Sequence, residues 1–220
     1  MNDTLLHQPV CIGPAALRGE MEVPDGARSL VLFAHGSGSS AGSPRNRFVA
    51  GVLQRHGLAT LRFDLLSPDE GRDRRKVFDI TLLSERVEQA LDWADAQPAW
   101  AGLRAGLFGA STGAAAALCA AASRPGRVGA VVSRGGRPDL AAHCLPRIGA
   151  ATLLIVGGAD REVLELNRQA LRQLHCSKRL ELVPGAGHLF EEPGALGSVA
   201  ELAADWFAHH LPTAPGRLMG

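Results

Sequence analysis

Three residues with the right types for covalent acyl chemistry occur in one chain order: Ser111 in "GASTG" (109–113), Asp160 in "GGADREV" and His188 in "PGAGHLFEEPG". A serine hydroxyl is a poor nucleophile at neutral pH. It needs a neutral imidazole to take its proton, and the imidazole needs a carboxylate to fix its tautomer and stabilise its cation. In this reading Ser111 attacks a carbonyl, His188 takes its proton and later protonates the leaving group, and Asp160 orients His188. Activity should then rise with pH as His188 becomes neutral. The pattern G-x-S-x-G is weak alone, and a second match, "GSSAG", surrounds Ser40. Context separates the two: an apolar run ends directly at Ser111 and a helix-forming alanine block follows, whereas Ser40 lies in a loop several residues past the preceding strand.

The elements that must position these residues alternate regularly. Strand-like runs at 29–35, 58–66, 104–110, 128–133, 151–158 and around 180–184 are separated by helical patterns near 45–57, 77–96, 111–123, 162–174 and 195–211. Two weaker extended stretches, near 8–12 and 16–23, fit an antiparallel start to the sheet. Strand–helix alternation at this spacing implies βαβ units and a doubly wound, mostly parallel sheet with helices on both faces, an α/β fold in a single domain over 1–220. Ligands bind outside the carboxyl ends of such strands. Ser111, Asp160 and His188 all fall there, as do His35-Gly-Ser-Gly38 and the "SRGGRPD" segment with Arg134 and Arg137.

Competing readings attach to several of these residues. Asp160 also suits the N-cap of the helix that follows it, and could serve both purposes through different oxygens. Asp139 is the alternative acid. His35 precedes the glycine-rich loop and is expected to brace it rather than act as the base. Arg134 and Arg137 are either structural, with Arg137 paired to Asp139 or Asp160, or they recognise an anionic group on the substrate as bidentate forks.

The whole set, from "HGSG" to "GAGH", resembles the α/β-hydrolase family, and most of all its small dienelactone hydrolase-like branch. Only "RPDLAAHCLPRIGA" fills the space where a large helical cap domain would sit. The resemblance implies an oxyanion hole made by the backbone N–H groups of Thr112 and Ser37, with Gly38 the alternative for the second donor. It implies no cofactor. The branch's usual nucleophile is cysteine, and this chain departs from it with serine. The function expected is hydrolysis of a small ester, lactone or thioester. Acyl transfer, peptidase activity, or a non-catalytic binding module on the same fold are the alternatives.

Composition narrows the partners. Among 220 residues the formal net charge is +1, aromatic residues make up 5% and tyrosine is absent, so neither nucleic acid nor an anionic membrane is an expected partner. A small-molecule ester-type substrate and a monomer or homodimer are expected instead. The N-terminal "MNDTLLHQPV" lacks signal-peptide features. Four cysteines (Cys11, Cys119, Cys144 and Cys176) are scattered without a C-x-x-C pair, which suggests reduced thiols and a cytoplasmic location. The histidines show no metal-ligand spacing, so no metal site is expected.

Overall fold

The computed structural model describes residues 5–211. Eight strands form one sheet in the order β1-β2-β4-β3-β5-β6-β7-β8. The chain opens with an antiparallel hairpin, β1 (Leu5–Ile12) and β2 (Leu17–Pro24), and β2 then pairs antiparallel with β4 (Ala59–Phe63). From β4 onward the sheet is parallel through β3 (Leu30–Ala34), β5 (Ala105–Ala110), β6 (Val128–Arg134), β7 (Ala151–Gly157) and β8 (Lys178–Val183).

Strands β3 to β7 are buried along their entire length, as expected when helices cover both faces of a parallel sheet. Successive side chains point to opposite faces. In β3, Leu30, Leu32 and Ala34 join the core under α3 (Ile80–Asp95) and α4 (Thr112–Ser123), whereas Val31 and Phe33 join the core under α1 (Pro44–Arg55) and α6 (Ala195–His210). The same split recurs in β7, where Leu154 faces the first layer and Leu153 and Ile155 the second. Helix α5 (Arg161–Gln173) buries Val163, Leu164, Asn167 and Ala170.

Helix α4 is central: every residue from Thr112 to Ala121 is buried. Alanine suits this place because it costs little side-chain entropy and lets a helix lie close to the sheet. No helical cap stands between β6 and β7 among the described residues, only two single 3-10 turns, Pro138–Ala141 and Leu145–Arg147. The helix expected over 77–96 starts at Ile80, because Asp79 caps it by accepting the Leu82 N–H at 3.0 Å, and a separate turn, α2 (Arg74–Val77), precedes it.

One expectation is overturned. Cys119 and Cys144 form a disulfide, and only Cys11 and Cys176 are free. Cys119 lies on α4 and Cys144 on the connection packed against it, with Cα atoms 5.3 Å apart, a proximity created by tertiary packing across 25 residues. One ground for expecting a cytoplasmic protein falls with it. His143 lies beside the same two sulfurs, but the disulfide leaves neither sulfur as a thiolate to bind a metal. No helix of the described residues is long and apolar enough to cross a membrane.

Candidate active site

Ser111 stands at the junction of β5 and α4 with φ 51° and ψ −120°, one of three non-glycine residues with positive φ among those described. Such a strained turn lifts a side chain clear of the sheet at the strand's carboxyl end. The glycines on either side are required by contact. A Cβ on Gly109 would come within 2.4 Å of Ala114 Cα, and one on Gly113 within 2.3 Å of the carbonyl oxygens of Ala34 and His35. The Ser111 N–H donates to the Arg134 carbonyl at 3.2 Å, and the Arg137 N–H donates to the Ser111 carbonyl at 3.2 Å, so the end of β6 holds the turn in place.

Asp160 follows β7 and His188 follows β8, and backbone bonds lace their two loops together. The Gly158 N–H donates to Val183 O and the Ala159 N–H to Ala186 O, each at 2.9 Å. Gly157 permits the approach, since a Cβ there would lie 2.3 Å from Ala186 O. His188 Nδ1–H donates to Asp160 Oδ2 at 2.8 Å. The other carboxylate oxygen, Oδ1, accepts the Val163 N–H at 3.4 Å and caps α5. Asp160 thus bonds His188 through one oxygen and caps α5 through the other. Because Nδ1 carries the proton, Nε2 of the neutral ring is left with a free lone pair.

Ser111 and His188 line one cleft of about 260 Å³, together with Gly36, Ser37, Ser43, Arg45, Asn46, Arg134 and Leu189. No hydrogen bond joins Ser111 to His188 among the described residues. Such catalytic bonds commonly tighten only around bound substrate. Ser40 lines a neighbouring hollow with Gly38 and Ser67, away from His188. Asp139 accepts both Arg137 Nε and Nη2, at 2.8 and 2.7 Å. Arg137 does not line the cleft, and no histidine among the described residues pairs with Asp139.

The loop after β3 is organised by His35. Its Nε2 accepts the Leu65 N–H at 3.0 Å, so its Nδ1 bears the proton and donates to Gly36 O at 2.9 Å. Burial lowers the pKa of His35, which outweighs the raising effects of its backbone bond to Gly36 and of the Asp64 charge. His35 is thus a neutral brace, as its position suggested. The Ser37 N–H, one of the two expected oxyanion donors, donates to Thr112 Oγ1 at 3.0 Å. Thr112 is the first residue of α4, where backbone N–H groups lack intrahelical partners.

Arg134 is the most unusual group in the cleft. The residue is only 8% exposed, yet Nε and Nη1 have no hydrogen-bond partner among the described residues. Burial, aided by the nearby charge of Arg45, lowers its pKa to about 10. Its guanidinium lies 5.8 Å from the centre of the Phe190 ring. Arg45, Ser43, Asn46 and Phe190 escaped the sequence reading. The first three sit where α1 begins, and the strand-end rule would have reached them only if extended along the loop to the next helix.

Strand order, the strained serine turn and the paired aspartate and histidine at strand ends define an α/β-hydrolase fold. Residues 48–211 match the model of the dienelactone hydrolase family. The chain belongs to that family. It is 54% identical to a dienelactone hydrolase from Anabaena variabilis, covering 96% of this chain and 100% of that one at a TM-score of 0.91. Est1E from Butyrivibrio proteoclasticus shares the fold alone, at 15% identity and a TM-score of 0.77 over 91% of this chain and 98% of that one. A Mycobacterium tuberculosis protein provisionally named a phosphoribosyl transferase is 56% identical over 202 residues, which is 92% of this chain and 46% of that protein. The chain thus spans about half the length of the curated relatives it matches.

Proposed function

We propose that the chain is a serine hydrolase of small esters, lactones or thioesters. The observation that carries this reading is the Asp160–His188 hydrogen bond, set in the same cleft as a serine held at positive φ. Ser111 Oγ attacks the substrate carbonyl while His188 Nε2 takes its proton. The tetrahedral oxyanion accepts the N–H of Thr112 at the N-terminus of α4, where the helix dipole favours negative charge. Ser37 supplies the second N–H by giving up its bond to Thr112 Oγ1, and Gly38 is the alternative donor. The intermediate collapses, the bond to the leaving group breaks, and His188 passes its proton to that group. Water then adds to the acyl-enzyme with His188 as base, releasing the acid and regenerating the Ser111 hydroxyl. A cleft of about 260 Å³ with no helical cap over it favours short acyl groups. This chemistry uses only side chains and backbone of the chain, and no cofactor enters it.

More than half of the Mycobacterium protein lies outside the shared segment, so its transferase name is not carried over to this cleft. The experiment is a panel of short-chain aryl esters, lactones, thioesters and amides. Ser111→Ala and His188→Ala should each lose several orders of magnitude in kcat, because the two groups act as one unit. Ser40→Ala should retain wild-type rates. Activity surviving in Ser111→Ala and lost in Ser40→Ala would reverse the assignment.

A further inference from the structure

The end of β6 places a positive charge in the cleft that the hydrolytic machinery does not use. Arg134 is nearly buried at the wall of the cleft, two of its three guanidinium nitrogens are unpartnered, and no carboxylate among the described residues pairs with it. Breaking up hydration of a cation without a counter-charge is costly, and folded proteins ordinarily pair or expose such groups. A neighbouring charge worsens the situation. Arg45, in the first turn of α1, repels Arg134. Arg45 itself is held by Glu191, a 3.2 Å contact in which the Glu191 side chain is 66% exposed. That pair lies at the rim and can exchange with a ligand. Helix α1 has no acidic residue in its first turn, so its positive end also borders the cleft unneutralised.

We propose that this cleft binds a substrate carrying a phosphate or phosphonate group, held between Arg134 and Arg45 while Ser111 attacks a carbonyl elsewhere in the same molecule. This inference rests on the serine hydrolase reading and names its substrate class. Two guanidinium groups converge on one cleft of about 260 Å³, and a single rim carboxylate answers one of them. A monoanionic carboxylate ligand would neutralise one charge. A tetrahedral dianion neutralises both and offers three oxygens to forks that are built for such geometry. Local rules are commonly broken where function requires it, and an unpaired buried arginine beside a nucleophile is such a place.

The test uses three p-nitrophenyl esters of similar acyl length: butyrate, hemisuccinate and 3-phosphonopropionate. It is accompanied by melting curves with and without inorganic phosphate. Wild type should prefer the phosphonate ester to the butyrate in kcat/KM by roughly tenfold to a hundredfold. Arg134→Gln should reduce that ratio to about one, and Arg45→Gln should reduce it partway. Phosphate should raise the Tm of wild type and leave that of Arg134→Gln unmoved. Without phosphate, Arg134→Gln should melt no lower than wild type, since it removes a buried unpaired charge. Preference for hemisuccinate over phosphonate would overturn the phosphate assignment. Equal rates on all three esters, or a low-melting Arg134→Gln with the wild-type ester ratio, would make Arg134 a brace and overturn the site. If wild type cleaves none of the esters, the hydrolase reading fails by itself. The phosphate-dependent Tm shift and its loss in Arg134→Gln then still decide whether the anion site exists.

Discussion

Asp160 concentrates two duties in one carboxylate: Oδ2 holds His188 and Oδ1 caps α5. The duties separate on substitution. Asparagine is as good an N-cap as aspartate but cannot supply the negative charge that stabilises a histidine cation. Asp160→Asn should therefore keep stability within about 0.5 kcal/mol while reducing kcat by roughly 10³–10⁴. Asp160→Ala should lose the same activity and a further kcal/mol or so of stability, about the worth of a cap. Equal destabilisation by both changes, measured by urea unfolding, would mean that the cap bond is energetically idle. The strand-end placement of Ser111, Asp160 and His188 was legible in the sequence, because alternation of strands and helices fixes where each strand ends. The hydrogen bond between the Ser37 N–H and the Thr112 hydroxyl was not, since it depends on one rotamer 75 residues away in sequence. Arg45 was equally hidden. A charge in the first turn of a helix looks like ordinary solvated surface until it is seen to line one cleft with Ala110 and Arg134, at the ends of β5 and β6.

At the level of elements, the site exists because α4 meets both β5 and the end of β3 more closely than ordinary side chains permit. Gly113 lies on α4 against the carbonyl oxygens of Ala34 and His35, which are backbone atoms and cannot move aside as a flexible side chain could. Gly113→Ala should cost about 3 kcal/mol or more by overpacking, and any folded protein that remains should have a displaced Ser111 and depressed kcat. Urea unfolding checks the first expectation and ester kinetics the second, and a variant of wild-type stability would contradict the packing account. Where burial was complete, strand boundaries were legible to within a residue or so except at the end of β4. They failed at β1, where the first five residues are exposed and carry no apolar alternation, so only its C-terminal part stood out. The expected 58–66 strand stops at Phe63, because the chain then turns for Asp64 to accept the Ala41 N–H and for Leu65 to donate to His35.

Across the whole molecule, folding is linked to the protonation of the brace beneath the catalytic loop. His35 is neutral in the folded state with a lowered pKa, and in the unfolded chain it titrates near 6.5. The unfolded state therefore binds more protons between these two values. The contribution of His35 to stability is full above about pH 6.5 and is lost progressively as pH falls toward the depressed folded value. His35→Gln cannot titrate. The stability advantage of wild type over this variant should shrink between pH 7.5 and pH 5, and an advantage constant with pH would contradict a buried neutral His35. The layer arrangement, the hairpin start and the absence of a cap were legible from strand–helix alternation and loop length. The Cys119–Cys144 bond was not, because only the docking of the β6–β7 connection on α4 brings those residues together. The central claim is that this fold delivers one activated nucleophile, Ser111. It is tested most directly by treating the protein with a fluorophosphonate and locating the adduct by peptide mass spectrometry. The account predicts one adduct per chain, on the peptide containing Ser111, abolished in Ser111→Ala and strongly slowed in His188→Ala. An adduct on Ser40, or none on a folded protein, would contradict it.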